Sequence, residues 1–238
     1  MGADKSKLDE QTIALRVSRE FQDGMIVNLG GGIPTLASNF IPEGREVLLH
    51  SENGVLAYGP IASTEEADWD LHNASWQPIT PSAGMSFFNH DESFAMIRGA
   101  HIDLSVMGAL QVSEKGDLAN WLIGDISEYG GDLTRCHRED RLRPCIGGAM
   151  DLAAGAGRLF VAMTHITKYG DPKIVKQCTY SLTALRCVSM IFTDVAVIEV
   201  TPEGLLLKEV APGWSVEEVQ EITEPELHVA PDLKEIEL

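Results

Sequence analysis

Leu48-Leu49-His50-Ser51-Glu52-Asn53-Gly54-Val55-Leu56-Ala57-Tyr58-Gly59-Pro60 joins an apolar run to two backbone breakers. Val47 to Leu49 reads as a short buried strand. Glu52 follows it, and Asn53-Gly54 is a dipeptide that favours positive φ and a tight turn. Gly59-Pro60 closes the segment. A carboxylate thus stands where a strand ends and the chain turns, the place where α/β folds put their chemistry. The same residues also fit a plain Asn-Gly hairpin with a solvated Glu.

Working outward, helix and strand patterns alternate. Ile13, Val17 and Phe21 recur four apart, one face of a helix spanning Leu8 to Phe21. Gly24 ends it and Met25 to Leu29 follows as a strand. Gly30-Gly31-Gly32 then leads into a helical Leu36 to Phe40, with Pro34 suited to a first turn. Thr35 in place of a third glycine excludes a dinucleotide fingerprint. Farther on, Ala62 to Asp70 reads as loop and Gly84 to Phe88 as a short strand. Asp91 is expected to cap a helix that stops at Gly99, and Ile102 to Leu110 is an apolar strand. After the irregular segment 124–145, Gly147-Gly148 opens a further helix. Arg158 to Met163 and Asp194 to Val200 are strands, and Pro202-Glu203-Gly204 turns the latter into a hairpin with Leu205 to Val210. Ser215 and Glu218 match a capping box. The acidic tail is expected to be partly ordered at most. This pattern predicts one α/β domain with a mainly parallel sheet.

Composition narrows the chemistry. The 238 residues carry 18 basic and 36 acidic side chains, a net charge of −18. That balance argues against nucleic acid and anionic membrane as partners. No apolar run approaches the roughly 20 residues needed to span a bilayer. The polar start does not resemble a signal peptide, so a cytoplasmic location is expected. Cys136, Cys145, Cys178 and Cys187 form no C-x-x-C pair, and no histidines stand at metal-ligand spacing, so no metal is expected. No G-x-S-x-G, H-E-x-x-H or Walker loop occurs. His165 and Lys168 suggest a polar pair on a loop, with structural roles favoured for both. What remains is Glu52 with glycine clusters at 30–32, 54–59 and 147–148. Base, metal ligand and nucleophile are all open to a carboxylate. A nucleophile in acyl transfer needs backbone N–H donors aimed at an oxyanion, which Gly30 to Gly32 or Gly147-Gly148 would offer.

The segments Asn28 to Pro42, Ser51-Glu52-Asn53-Gly54, Asp91 to Gly99, Gly116 to Trp121 and Gly147 to Leu152 together resemble the β subunit of family I coenzyme A transferases of the 3-oxoacid type. The resemblance runs from about Leu8 to Pro231. It implies a three-layer α/β fold shared with sugar-phosphate isomerases, and Glu52 as nucleophile of a ping-pong transfer through a glutamyl–CoA thioester. It further implies that Asn53 and Gly54 shape the nucleophile turn, that Gly147 and Gly148 lie against it, and that the Gly30, Gly31 and Gly32 loop flanks the site. Coenzyme A enters as a substrate thioester, with no separate cofactor. An α subunit is the expected partner, in an αβ heteromer such as α2β2, with succinyl-CoA the expected donor and acetoacetate or 3-oxoadipate the acceptor. Three departures stand out: Gly31 in place of Ile, Ser75-Trp76-Gln77 in place of Gly-Lys-Glu, and a longer segment 124–145, read as a lid or contact insertion.

Overall fold

Along the central strands, alternate side chains go to opposite sides of one sheet, and each side has its own core. A computed structural model describes residues 7–124, 127 and 146–237. Among them, in chain order, are α1 (Glu10–Ser18), β1 (Ile26–Leu29), α2 (Ile33–Leu36) with a 3-10 turn Ala37–Phe40, β2 (Leu48–Ser51), β3 (Val55–Leu56), β4 (Ser86–Phe87), α3 (His90–Arg98) and β5 (Leu104–Met107). They continue with β6 (Gln111–Ser113), β7 (Leu118–Ala119), α4 (Ala149–Gly155), β8 (Arg158–Ala162), β9 (Ile174–Val175), β10 (Val188–Phe192), β11 (Ala196–Thr201), β12 (Gly204–Val210), α5 (Val216–Glu221) and β13 (Leu227–Glu235).

Ten strands form the main sheet in the order β13-β12-β11-β10-β8-β5-β1-β2-β3-β4, and β7-β6-β9 form a small second sheet. The five central strands β10, β8, β5, β1 and β2 are parallel. Val27, Leu29, Val106 and Phe160 pack with Ile13, Ala14 and Val17 of α1 on one face. Met107, Leu159 and Val161 pack with Phe94 and Ile97 of α3 and Leu152 of α4 on the other. Helix, sheet, helix is the expected three-layer α/β arrangement.

In that core the chain steps from β1 outward to β2, then crosses back to β5 on the opposite side of β1. The carboxyl ends of β1 and β5 therefore border the point where strand order reverses, the crevice in which open α/β sheets bind ligands. Gly30, Glu52 and Gly108 each follow directly on β1, β2 and β5 at that edge.

Several local expectations need correction. Asn89, not Asp91, is the cap of α3, with Glu92 completing a capping box; Asp91 lies inside the first turn. The apolar stretch 102–110 is strand only over Leu104–Met107, because Gly108 breaks the run before β6. The tail is ordered: β13 pairs in parallel with β12, from Leu205 against Leu227 to Val210 against Glu235. Its acidic residues face water while Leu227, Ala230 and Ile236 are buried, so charge and strand coexist. His165 does not pair with Lys168. Its two ring nitrogens lie 2.9 Å from Thr193 Oγ1 and 2.8 Å from Thr223 Oγ1, a structural role, and burial lowers its pKa to about 4. Segment 124–145 falls outside the described residues except for 124 and 127. No helix among the described residues is long and apolar enough to cross a membrane.

Candidate active site

Ser51 and Val55 pair across β2 and β3, so the hairpin loop is Glu52-Asn53-Gly54. The Gly54 N–H donates to the Ser51 carbonyl at 3.0 Å. Only Gly54, at φ +111°, is in the left-handed region; Asn53 is not. A Cβ at Gly54 would run into the Phe88 carbonyl, so glycine is required for both conformation and space. The turn thus fixes Glu52, half-buried, at the mouth of the crevice.

Behind Glu52 lies a buried polar line. Asn28 of β1 and His50 of β2 are register partners, both fully buried, on the face covered by α3. The Asn28 amide Nδ2 donates to Glu52 Oε2 at 3.2 Å and lies 3.0 Å from His50 Nδ1 and 3.3 Å from the His50 carbonyl. His50 Nε2 is 3.0 Å from Ser93 Oγ of α3. The ring stacks at 6.1 Å on Phe88. Burial lowers its pKa to about 4, so it is neutral at ordinary pH. Tyr58 is buried nearby with no partner for its hydroxyl among the described residues. Burial first, and the charge of Glu52 second, raise its pKa.

Two cavities meet at Glu52. One, of about 660 Å³, is walled by Asn53, His72, Trp76, Phe94 and Arg98; the other, of about 510 Å³, by Gly30, Gly31, Met107, Gly108 and Asn120. Glu52, Gly147 and Gly148 line both. The structure therefore brings Glu52, Asn53, Gly30, Gly31, Gly147 and Gly148 to one crevice, while Gly54 acts beneath it and Gly32 lies outside the walls, at the N-cap of α2. A Cβ at Gly148 would fall 2.6 Å from Phe94, which explains the glycine. The Gly30 N–H is committed to the Val106 carbonyl at 2.8 Å and is no oxyanion donor. Among the described residues, no acceptor takes the N–H of Gly31, Gly147 or Gly148.

The loop holding Trp76 is tied to the Glu52 turn. The Ala74 N–H donates to Ser51 Oγ at 2.9 Å, and Asn53 Nδ2 to the His72 carbonyl at 2.9 Å. Trp76 itself stands at φ +62° and is 77% exposed, a strained aromatic at the cavity mouth. Two of the sequence departures face each other: a Cβ on Gly31 would lie 3.2 Å from Ser75 Oγ. A small residue at 31 makes room for a larger one at 75.

Asn28, His50 and Ser93 escaped the sequence reading. Their signal was a polar residue inside an apolar strand, Asn28 between Val27 and Leu29, and His50 after Leu49. Among the described residues, no group of three or more His, Cys, Asp or Glu is placed to hold a metal. Burial raises the Cys178 and Cys187 thiols to about 12 and about 11, away from thiolate chemistry.

Known proteins share this arrangement. A family model described as coenzyme A transferase matches residues 10–221. Over 217 residues the chain is 48% identical to the β subunit of a 3-oxoadipate CoA-transferase of Pseudomonas putida, covering 91% of this chain and 95% of that one. It is 44% identical over 215 residues to the β subunit of a probable succinyl-CoA:3-ketoacid coenzyme A transferase of Bacillus subtilis, covering 90% and 93%. Against a mitochondrial succinyl-CoA:3-ketoacid coenzyme A transferase of mouse it is 46% identical, spanning 93% of this chain but 40% of that protein. The fold matches glutaconate coenzyme A-transferase from Acidaminococcus fermentans with a TM-score of 0.68 at 15% identity, covering 98% and 91%. It also matches the decarboxylase AibA/AibB, with a TM-score of 0.68 at 16% identity over 96% and 88%. The family model and the relatives above 40% identity agree over nearly the whole chain, and the chain belongs to the coenzyme A transferase family.

Proposed function

We propose that this chain is the nucleophile-bearing β subunit of a coenzyme A transferase that moves CoA from succinyl-CoA to a 3-oxoacid, acetoacetate or 3-oxoadipate. The observation that carries the reading is the placement of Glu52, held by Asn28 through one oxygen at the junction of two cavities. One cavity on each side of a nucleophile suits a reaction in which an acyl group and a CoA arm lie on opposite sides of the reacting carbon. The names of the relatives support the substrate class and an α-subunit partner in an αβ heteromer, α2β2 in the simplest form.

In this reading the Glu52 carboxylate attacks the thioester carbonyl, the C–S bond breaks, and an acyl–glutamyl anhydride and CoA thiolate result. The thiolate attacks the glutamyl carbonyl, releasing the first acid as its carboxylate and leaving a glutamyl–CoA thioester. An incoming carboxylate reverses both steps and departs as the new acyl-CoA. No proton is transferred, so no general acid or base is required near Glu52. The anhydride keeps the acyl group as activated as the thioester was. Coenzyme A is a substrate, and no further cofactor takes part. Exclusion of water separates transfer from hydrolysis.

Initial rates measured on the αβ complex, varying acyl-CoA at several fixed acceptor concentrations, test this. Parallel double-reciprocal lines and transfer dependent on the acceptor acid are expected. Intersecting lines would contradict the covalent ping-pong route, and thioester loss independent of acceptor would make the complex a hydrolase.

A further inference from the structure

Glu52 needs more than a donor; it needs the donor's correct face. An Asn amide presents nitrogen and oxygen in nearly the same shape, so packing alone does not choose between them. With Oδ1 towards Glu52, two acceptors would face each other and the carboxylate would lose its only side-chain anchor among the described residues. We propose that His50 is a positioning residue for the nucleophile: clamped between Ser93 and Asn28, its ring holds the Asn28 amide with Nδ2 towards Glu52 Oε2 and leaves Oε1 free to attack. The inference rests on the nucleophilic role of Glu52.

The hydrogen-bond roles close in only one way. Amide nitrogen only donates, so all three groups near Nδ2 must accept: Glu52 Oε2 at 3.2 Å, His50 Nδ1 at 3.0 Å and the His50 carbonyl at 3.3 Å. Nδ1 is then the unprotonated nitrogen, and Nε2 carries the hydrogen and donates to Ser93 Oγ at 3.0 Å. Ser93 comes from α3, which fixes the ring from the far side, and Phe88 fixes its plane. A ring with hydrogen on Nδ1 would turn the Asn28 amide over. Burial, which keeps the ring from gaining a second proton, maintains the pattern. Asn28 Oδ1 is buried without a partner among the described residues, so no bond of its own oxygen sets the amide's orientation. The ring of His50 does.

The test uses the assembled αβ complex and succinyl-CoA or acetoacetyl-CoA, following single-turnover formation of the glutamyl–CoA adduct. A small misplacement of a reacting group costs on the order of 100-fold in rate. His50→Phe and Asn28→Leu are each expected to slow adduct formation by about that factor, with KM for the thioester within roughly threefold. The double variant should be no slower than either single, because both act through one amide. His50→Gln, whose side-chain oxygen can accept from Asn28, should recover much of the rate; a merely structural role predicts no such selective rescue. If His50→Phe fails to assemble, Ser93→Ala takes its place and should slow the same step several-fold. An assembled His50→Phe variant with the wild-type rate, or additive losses in the double variant, overturns the proposal. Nitrogen chemical shifts of the 15N-histidine-labelled wild-type complex, with His50→Gln used to locate the signal, read the tautomer without turnover. Hydrogen on Nε2 is expected and hydrogen on Nδ1 overturns the proposal. Absence of any adduct in the wild type would instead remove the nucleophilic reading, with the tautomer still decided by the spectrum.

Discussion

At the scale of single residues, glycine positions and buried polar groups define the site. Gly54 combines φ +111° with a backbone carbonyl where its Cβ would stand. Gly54→Ala is expected to lower stability by about 2–4 kcal/mol and to displace Glu52; thermal unfolding and adduct yield measure the two effects, and an unchanged melting temperature would contradict the account. Gly31 and Ser75 form a coupled pair. Gly31→Ile should impair transfer by pushing the Trp76 loop, and Ser75→Gly in the same chain should restore part of it; equal activity of the single and double variants would show the contact to be idle. Glu52 was legible from the strand-turn pattern and the Ser-Glu-Asn-Gly motif, because local chemistry alone marks a strand end. His50 and Asn28 were not, because their meaning comes from β1 and β2 lying side by side and from α3 crossing over them, which are non-local facts.

Elements follow the sequence where periodicity and caps are strong. Ser215 accepts from the Glu218 N–H at 3.3 Å while Glu218 returns a bond to the Ser215 N–H at 3.0 Å, as the S-x-x-E pattern predicts for α5. Ser215→Ala should cost about 1 kcal/mol, read from denaturant unfolding; no measurable loss would mean that the box is dispensable in this short helix. The tail was misread because its charge suggests solvation, whereas alternate residues of β13 face the protein and its backbone pairs with β12. Amides of Leu227–Glu235 facing β12 should exchange with solvent as slowly as those of β12 itself, and rapid exchange would return the tail to a solvated state. β10 also went unread as a strand. Val188–Phe192 contains Ser and Met between apolar residues and carries no turn signal on its N-terminal side, yet it completes the parallel core.

For the whole molecule, the reversal of strand order beside β1 places the crevice before any side chain is considered, and the α/β class was legible from alternating elements. Fold alone does not choose the reaction, since a decarboxylase and a transferase share it with this chain at about 15% identity. Two buried histidines tie stability to pH. His50 and His165 titrate near 4 when folded, against 6.5 for free histidine. The unfolded chain binds protons first, so stability is full above 6.5 and falls as pH drops towards 4, by about 2 kcal/mol for each at pH 5. The melting temperature should therefore fall between pH 7 and pH 5; a flat profile would mean that these rings are charged in the fold. The central claim, that Glu52 is the covalent nucleophile, is tested most directly by the intact mass of this chain after the αβ complex meets succinyl-CoA or acetoacetyl-CoA without an acceptor acid. The account predicts a CoA-sized increase that maps to Glu52 and is lost in Glu52→Gln, whereas turnover without that adduct, or an adduct that persists in Glu52→Gln, would contradict it.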